Sequence, residues 1–296
     1  MTVTIGAGSD AWGVWHADHP AQIPWQRYLD EVAEAGYHVL EPGNFGYLPT
    51  DPAVVRSQLA ARSLSIPGGT FFAAISDQAR REATFAALDR TAEWLAAIGA
   101  RFLVLLDDFY RDPDSGAVRS AARLDAAAWA DFAATVNSMG RRCRDAFGLS
   151  LVFHPHCDAT IETERDIARL LTETDSALVG LCMDTGHHLY SGGDPVAFWR
   201  AHHRRMPYLH LKSMNPRMLE TMRRERLPWG VAVLRGVTDE PARGAVDFEG
   251  LAAALSDTGY DGFAIVEQDM FPCDPAVPLP LARRTIAYLK QLGFQT

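Results

Sequence analysis

Eight short apolar segments alternate with longer amphipathic segments along the 296-residue sequence, and this alternation constrains the fold more than any other feature. Strands that alternate with helices favour parallel pairing through helical crossovers, and eight such units favour a closed barrel over an open sheet. The sequence therefore predicts an α/β protein, a (β/α)8 TIM barrel, formed as a single domain by residues 1–296. The predicted strands are residues 3–5, 37–40, 64–67, 102–106, 150–153, 178–183, 208–211 and 263–266.

One segment, residues 214–246, breaks this alternation. It contains Pro216, Pro228 and Pro241, and proline interrupts helices and strands because its nitrogen cannot donate a hydrogen bond. No Gly/Ser-rich linker or internal repeat indicates a second domain. We therefore expect an irregular insertion after the seventh strand of one domain.

Charge and cysteine content exclude several classes of partner. The formal net charge of −9 would repel nucleic acid and anionic membrane surfaces, so neither is expected as a partner. No apolar run approaches the roughly 20 residues of a membrane-spanning helix. The widely spaced cysteines form no CxxC pair, which is typical of reduced thiols. Because we recognise no secretory leader, we expect a cytoplasmic protein.

Ionisable side chains follow the predicted strands at their carboxyl ends. In a barrel these ends surround one mouth, where so many charged and polar groups would repel each other or stay unpaired without a cation. The oxygen and nitrogen donors among them suit Mn²⁺, Co²⁺, Mg²⁺ or Zn²⁺, so we expect a divalent metal. The residues at these strand ends are Glu41, Asp107, Asp108, His154, His156, Asp184, His187, His188, His210, Lys212, Glu267 and Asp269.

Longer motifs around these positions carry a family resemblance. They are residues 12–15, 46–51, 68–70, 154–156, 162–163, 184–188, 210–212, 244–248 and 266–270. With these segments the sequence resembles the xylose isomerase-like TIM-barrel superfamily of sugar isomerases and epimerases. Within that superfamily it is most similar to the inosose (2-keto-myo-inositol) dehydratases.

The resemblance implies a metal held by two Glu, one Asp and one His, with Mn²⁺ as the preferred ion. Asp184, His210 and Glu267 correspond to three of these ligands. The fourth is either His154 or Glu162, and we expect Glu162 because it restores the pair of glutamates. The sequence departs from the dehydratase pattern at residues 42–46 and at Ser213, and both changes would lie at the substrate.

A metal beside a ketone would assist removal of a neighbouring proton, for which His156 or His154 is the expected base. Lys212 would stabilise an oxyanion or protonate a leaving group, unless it only forms a salt bridge with Asp184 or Glu267. Glu41 is a further catalytic candidate or a ligand of substrate hydroxyls. His187, Asp107 and Arg217 are the candidates for substrate binding.

The favoured function is a metal-dependent lyase that dehydrates a keto-cyclitol or keto-sugar by β-elimination. One alternative is a β-elimination of a 3-keto-glycoside resembling that of the C-glycoside deglycosidases, with a small partner subunit. Another is a keto-sugar epimerase or isomerase, and a third is a sugar-binding subunit without turnover. We expect a homo-oligomer. Because of the departures at residues 42–46 and 213, we also expect weak dehydration of unsubstituted 2-keto-myo-inositol and better turnover of a larger keto-sugar.

Overall fold

The structure, a computed structural model, describes residues 2–296 as a ring of parallel strands surrounded by helices. The strands are β1 Thr4–Ala7, β2 Gly68–Ala73, β3 Phe102–Asp107, β4 Ser150–Phe153, β5 Val179–Asp184, β6 Tyr208–Leu211, β7 Ser213–Met214, β8 Thr238–Asp239 and β9 Phe263–Val266. The helices are α1 Trp25–Ala35, α2 Pro52–Ala60, α3 Arg81–Ala97, α4 Ala126–Phe147, α5 Glu164–Glu173, α6 Thr185–Tyr190, α7 Pro195–His202, α8 Pro216–Glu225, α9 Trp229–Leu234, α10 Phe248–Asp257 and α11 Pro278–Gln291. The large sheet has the order β1-β9-β6-β5-β4-β3-β2.

Residues 39–41 complete the ring between β1 and β2. The second predicted strand forms only two isolated parallel bridges, Ala7 with Leu40 and Val39 with Ser65. Backbone hydrogen bonds cross both gaps, since the Ala7 N–H donates to Val39 O at 2.9 Å and the Leu40 N–H donates to Ser65 O at 3.0 Å. The predicted eight-unit barrel is thus confirmed, although this segment is too short to form a full strand.

The third predicted strand, residues 64–67, lies just before the observed β2. Pro67 has no N–H to donate to a ladder. Its carbonyl oxygen does accept from the N–H groups of Arg101 and Phe102 at 2.8 and 3.0 Å, so regular pairing with β3 begins only at Gly68. The remaining predicted strands are confirmed to within two residues at either end.

The segment expected to be irregular is more ordered than its prolines suggest. β7 and β8 pair antiparallel at the base of the insertion, and α8 and α9 lie between them. Pro216 occupies the first turn of α8, where its missing N–H has no partner to lose, and the Asn215 side chain caps that helix. The insertion packs around its own buried residues, among them Leu219, Met222 and Trp229.

The barrel interior is filled by apolar side chains from neighbouring strands, including Val104, Val152 and Ile265. The surrounding helices pack closely on the sheet. In α4, for example, a Cβ on Gly140 would lie 2.4 Å from the carbonyl oxygen of Leu178. Among the described residues, none of the helices combines the length and the apolar character needed to cross a membrane.

Candidate active site

Four side chains from neighbouring strands converge at the mouth of the barrel. His154 follows β4, Asp184 ends β5, His210 lies in β6, and Glu267 follows β9. These strands are adjacent in the order β4-β5-β6-β9, so their carboxyl ends form one half of the ring. The potential ligand atoms of the four residues all lie within 4.8 Å of one another. We call this set the donor group.

Three atoms of the donor group lack a hydrogen bond although they are buried: His154 Nδ1, Asp184 Oδ2 and His210 Nδ1. Asp184 uses Oδ1 to cap α6, accepting from the His187 N–H at 2.8 Å, and its Oδ2 has no hydrogen-bond donor among residues 2–296. His210 Nδ1 lies 3.0 Å from Glu267 Oε1 without a hydrogen bond between them. Buried polar atoms are rarely left unpaired, and two imidazoles with two carboxylates suit a divalent cation. The donor group therefore fits a metal.

His156 is the imidazole best placed to accept a proton at this mouth. Its Nδ1 lies 2.6 Å from the carbonyl oxygen of Cys157. A carbonyl oxygen can only accept, so Nδ1 carries the ring proton and Nε2 keeps a free lone pair. Burial, and after it His154 and Lys212, lowers the pKa of His156 to about 3, so the ring is neutral near pH 7. A neutral imidazole with a free nitrogen can act as a general base.

Lys212 lies within salt-bridge distance of three carboxylates at the mouth, those of Asp184, Glu267 and Asp269. Its Nζ lies 2.5 Å from Asp269 Oδ2, 3.0 Å from Glu267 Oε2 and 3.4 Å from Asp184 Oδ2. Burial lowers the pKa of Lys212, but Asp184 and Asp269 raise it well above its usual range. The side chain is therefore an ammonium. Gly186 leaves room for it, because a Cβ there would lie 2.7 Å from Lys212 Cγ.

A cavity of about 530 Å³ opens at this mouth. His154, His210 and Glu267 of the donor group line it, and so do His156 and Lys212. The volume lies within the range of small-molecule sites, roughly 300–1,000 Å³. The potential metal ligands, the neutral imidazole and the ammonium therefore face one space that a small molecule can enter.

A sequence model of the xylose isomerase-like TIM-barrel family matches residues 29–292. The chain belongs to this family. It is 32% identical over 284 residues to an inosose dehydratase of Geobacillus kaustophilus, covering 93% of this chain and 88% of that protein. Among solved structures, a probable 3-DHS dehydratase, AsbF of Bacillus anthracis, has a TM-score of 0.75 at 13% identity, with 97% and 99% of the chains covered. The IOLI protein, solved with a zinc atom, has a TM-score of 0.75 at 12% identity and 99% and 100% coverage.

Glu162, the expected fourth ligand, lies outside the donor group of this family member. The loop after His156 turns back on itself, since the His156 N–H donates to Ile161 O at 3.1 Å. Glu162 follows that turn, and burial together with the nearby Asp158 raises its pKa to about 7. His154 instead continues β4 directly into the mouth. The structure thus brings together the alternative set that contains His154.

His187 and Trp229 pack against His156. The His156 and His187 ring centroids are 3.7 Å apart, and His187 is 4.6 Å from Trp229. Lys212 Nζ donates to His187 Nε2 at 3.1 Å. His187 is buried and does not line the cavity, whereas Trp229 does. The structure therefore places His156 and Trp229 in the wall of the cavity, and the expected substrate contact of His187 stays a prediction.

Glu41 contacts His210 at Nε2, whereas Glu267 lies near the other ring nitrogen, Nδ1. Oε1 of Glu41 is 3.0 Å from His210 Nε2, and its Oε2 accepts from the Thr70 hydroxyl at 3.2 Å. Both oxygens are thus engaged. A carboxylate on the second nitrogen of an imidazole typically fixes the orientation of a metal-binding histidine. This geometry favours a role for Glu41 in orienting His210 over the direct catalytic role that was expected for Glu41.

Two expected substrate-binding residues do not line the cavity. Asp107 is buried and its Oδ1 accepts from the Ile75 N–H at 3.1 Å, so it ties two strand ends together. Burial raises the pKa of Asp107 to about 6. Arg217 lies in the first turn of α8 and is exposed. Neither residue reaches a ligand in the mouth.

An ion pair that sequence reasoning missed holds the insertion against the mouth. Arg111 Nε donates to Asp158 Oδ1 at 2.6 Å, and Asp158 Oδ2 accepts from the Trp229 N–H at 2.9 Å. Asp158 adopts a left-handed backbone, with φ 62°, which asparagine and aspartate tolerate better than most residues. Arg111 and Trp229 lie in loop and insertion segments without periodicity, so no pattern in the sequence indicated them.

Proposed function

We propose that this protein is an enzyme that dehydrates a keto-cyclitol or a related keto-sugar. The observation that carries the proposal is the shared cavity, which His156, with its free Nε2, lines together with three residues of the donor group. The relative at 32% identity, named inosose dehydratase, supports the reaction class because it matches over 93% of this chain. An intact donor group argues against a sugar-binding subunit without turnover.

The residues proposed to hold a divalent metal are His154, Asp184, His210 and Glu267. When bound, such an ion polarises a ketone oxygen and stabilises the negative charge that develops there. We propose Mn²⁺ as the resident ion, with Co²⁺, Mg²⁺ or Zn²⁺ as alternatives of similar ligand preference. Glu41 would orient His210 through the contact between Oε1 and Nε2.

His156 would remove the proton from the carbon next to the ketone. The carbon–oxygen bond on the following carbon then breaks, and the departing hydroxide takes a proton from His156 or from the Lys212 ammonium. One water is lost and an unsaturated ketone remains, so atoms and charge balance. Lys212 also keeps Asp184, Glu267 and Asp269 at fixed positions through its three contacts.

Metal content tests the ligand assignment. His154→Ala should lose most of the bound metal by elemental analysis of purified protein, because one of four ligands is removed. Glu162→Gln is the matched control on the same loop and should keep the metal. Equal metal content in both variants would overturn the assignment of His154, and loss of metal only in Glu162→Gln would restore the expected ligand.

Product mass tests the reaction. The metal-loaded enzyme is incubated with keto-inositols, keto-sugars and 3-keto-glycosides, and the products are identified by mass spectrometry. Loss of one water supports the dehydratase, release of an aglycone supports elimination from a glycoside, and a new isomer of unchanged mass supports an epimerase. An enzyme that keeps full activity after chelation of its metal would refute the proposed mechanism.

A further inference from the structure

The two sides of the cavity differ in chemistry. The donor group comes from the ends of β4, β5, β6 and β9, which form one side of the ring. The opposite side is formed by residues 41–45, the ends of β2 and β3, and one face of α3. We call this opposite side the apolar arm. It consists of Phe45, Phe71, Phe72, Ala87, Leu106 and Phe109.

The polar groups near the apolar arm are engaged or peripheral. The Thr70 hydroxyl donates to Glu41, and the Asn44 amide donates to Trp15 O. Thr91 of α3, which also lines the cavity, is only 5% exposed. Arg90 is exposed at the rim. The arm itself therefore presents carbon atoms, and it has little to offer the hydroxyl groups of a sugar.

Phe72 shows that part of this apolar surface is open to solvent. Its side chain is 40% exposed, although it lies at the end of a barrel strand. The other exposed large hydrophobic residues within residues 2–296 do not line the cavity; they are Val54, Val118, Leu234 and Val277. The Phe72 and Phe109 rings meet edge-on with their centroids 5.6 Å apart. The Phe109 centroid is in turn 5.0 Å from that of the His156 ring. The aromatic wall thus runs up to the proposed base.

A keto-cyclitol alone would leave much of the cavity empty. Such a ring has about twelve non-hydrogen atoms, and even at the roughly 30 Å³ that each water molecule occupies in the liquid it takes about 360 Å³. The cavity measures about 530 Å³. Because bonded atoms pack more tightly than water, the ring fills less than two thirds of the space. If the ketone lies at the donor group, the unfilled part is bounded by the apolar arm and by Trp15, His16, Pro113 and Trp229.

We propose that the apolar arm binds an aryl-sized apolar substituent carried by the keto-sugar ring. This inference rests on the proposed function only in placing the ring at the donor group. Burying a phenyl group against such a wall strengthens binding by about tenfold or more. The substrate class is therefore a keto-sugar or keto-cyclitol with an aromatic group, not the unsubstituted ring.

Two unreactive probes test the arm on the metal-loaded enzyme. Phenyl β-D-glucoside and methyl β-D-glucoside share one sugar and differ in the size of one substituent, and neither carries a ketone. Isothermal titration calorimetry should give a Kd for the phenyl compound at least about tenfold lower than for the methyl compound. Equal affinities, or no measurable binding of the phenyl compound at millimolar concentration, would overturn the proposal.

Three variants locate the site. Phe72→Ser should bring the two affinities close together, because it removes half of the aromatic pair. Ala87→Trp should do the same by filling the arm from α3, and it remains informative if Phe72→Ser does not fold. Leu234→Ser is the control, since Leu234 is 63% exposed and lies outside the cavity. If the preference for the phenyl compound persists in both cavity variants, the phenyl group binds elsewhere and the proposed role of the apolar arm is refuted.

The test of the apolar arm and the test of the proposed dehydratase can fail independently of each other. A phenyl preference lost in the cavity variants, together with no turnover of any ketone, would uphold the arm and refute the dehydratase. Efficient loss of water from 2-keto-myo-inositol without a phenyl preference would uphold the dehydratase and refute the arm. Phe72→Ser should raise the KM of an aryl-substituted substrate about tenfold more than it raises that of 2-keto-myo-inositol.

Discussion

The buried ion pair between Arg111 and Asp158 permits a quantitative prediction about how the insertion is held over the mouth. Arg111 donates to Asp158 at 2.6 Å and to the carbonyl oxygens of Arg226 and Leu227 at 3.0 and 2.8 Å. Arg111→Met keeps an apolar chain but leaves the Asp158 carboxylate, 1% exposed, without its cation. Removing one partner of a buried pair costs about 3–5 kcal/mol. We expect about 3 kcal/mol near pH 8, because burial already raises the pKa of Asp158.

The cost should shrink as the pH falls. Burial raises the pKa of Asp158 in the parent, although Arg111 opposes the shift, and the pKa should rise further in the variant. Between the unfolded value of about 3.9 and this raised folded value, the folded variant binds a proton that the unfolded chain has released. The free energy of unfolding of the variant therefore falls as the pH rises through the folded pKa. Arg111→Met should cost more near pH 8 than near pH 5.

Urea denaturation followed by tryptophan fluorescence at both pH values measures these costs. Arg62→Met is the matched control, because Arg62 also makes three hydrogen bonds, to Asp30 Oδ1 and to Gln58 O and Oε1. The Asp30 side chain is 61% exposed, so the control should cost less than about 1 kcal/mol. A cost for Arg111→Met no larger than the control, or one that does not change with pH, would refute the reasoning.

The remaining predictions concern a helix contact, a buried acid and the proposed base. Alanine normally stabilises a helix interior relative to glycine, but Gly140→Ala should destabilise the protein by about 1–3 kcal/mol because its Cβ would lie 2.4 Å from Leu178 O. A melting temperature at or above that of the parent would contradict this. Burial raises the pKa of Asp107 to about 6. The parent should therefore lose stability between about pH 4 and 6, and urea titrations of Asp107→Asn should lack that loss. His156→Ala should lower kcat about 10²–10⁴-fold with metal content unchanged. Parent-like turnover would move the base assignment to another residue, with Lys212 next.

The barrel and the donors on its strands were predictable because both depend on regular patterns. Strands buried on both faces form continuous apolar runs, and the residue after each run must lie at the mouth of a closed barrel. Asp184, His210 and Glu267 each end or closely follow such a run. Their convergence therefore follows from the order of the strands and does not depend on any loop.

The fourth position of the donor group depends on a loop, and there the structure favours His154 over the expected Glu162. His154 and Glu162 are both close to the end of β4 in sequence. Which of them enters the mouth is decided by the turn that joins His156 to Ile161 through a backbone hydrogen bond. That turn requires Asp158 in a left-handed conformation, held by Arg111. A partner 47 positions away in the chain cannot be identified from the local sequence.

The division of the mouth separates the groups that would determine the reaction from those that would determine the shape of the substrate. The proposed metal ligands and the base come from β4 to β6 and β9, whereas residues 41–45 and β2 form the apolar side. The departures at residues 42–46 lie on the apolar side, so they change what fits without removing a donor. The two sides are joined at Glu41, which contacts His210 with one oxygen and Thr70 with the other. Substitutions at residues in contact have coupled energetic effects, whereas the effects of substitutions at distant residues simply add. Changes at Phe45 or Phe72 should therefore act on substrate affinity alone, whereas a change at Thr70 would reach the metal through Glu41 and His210.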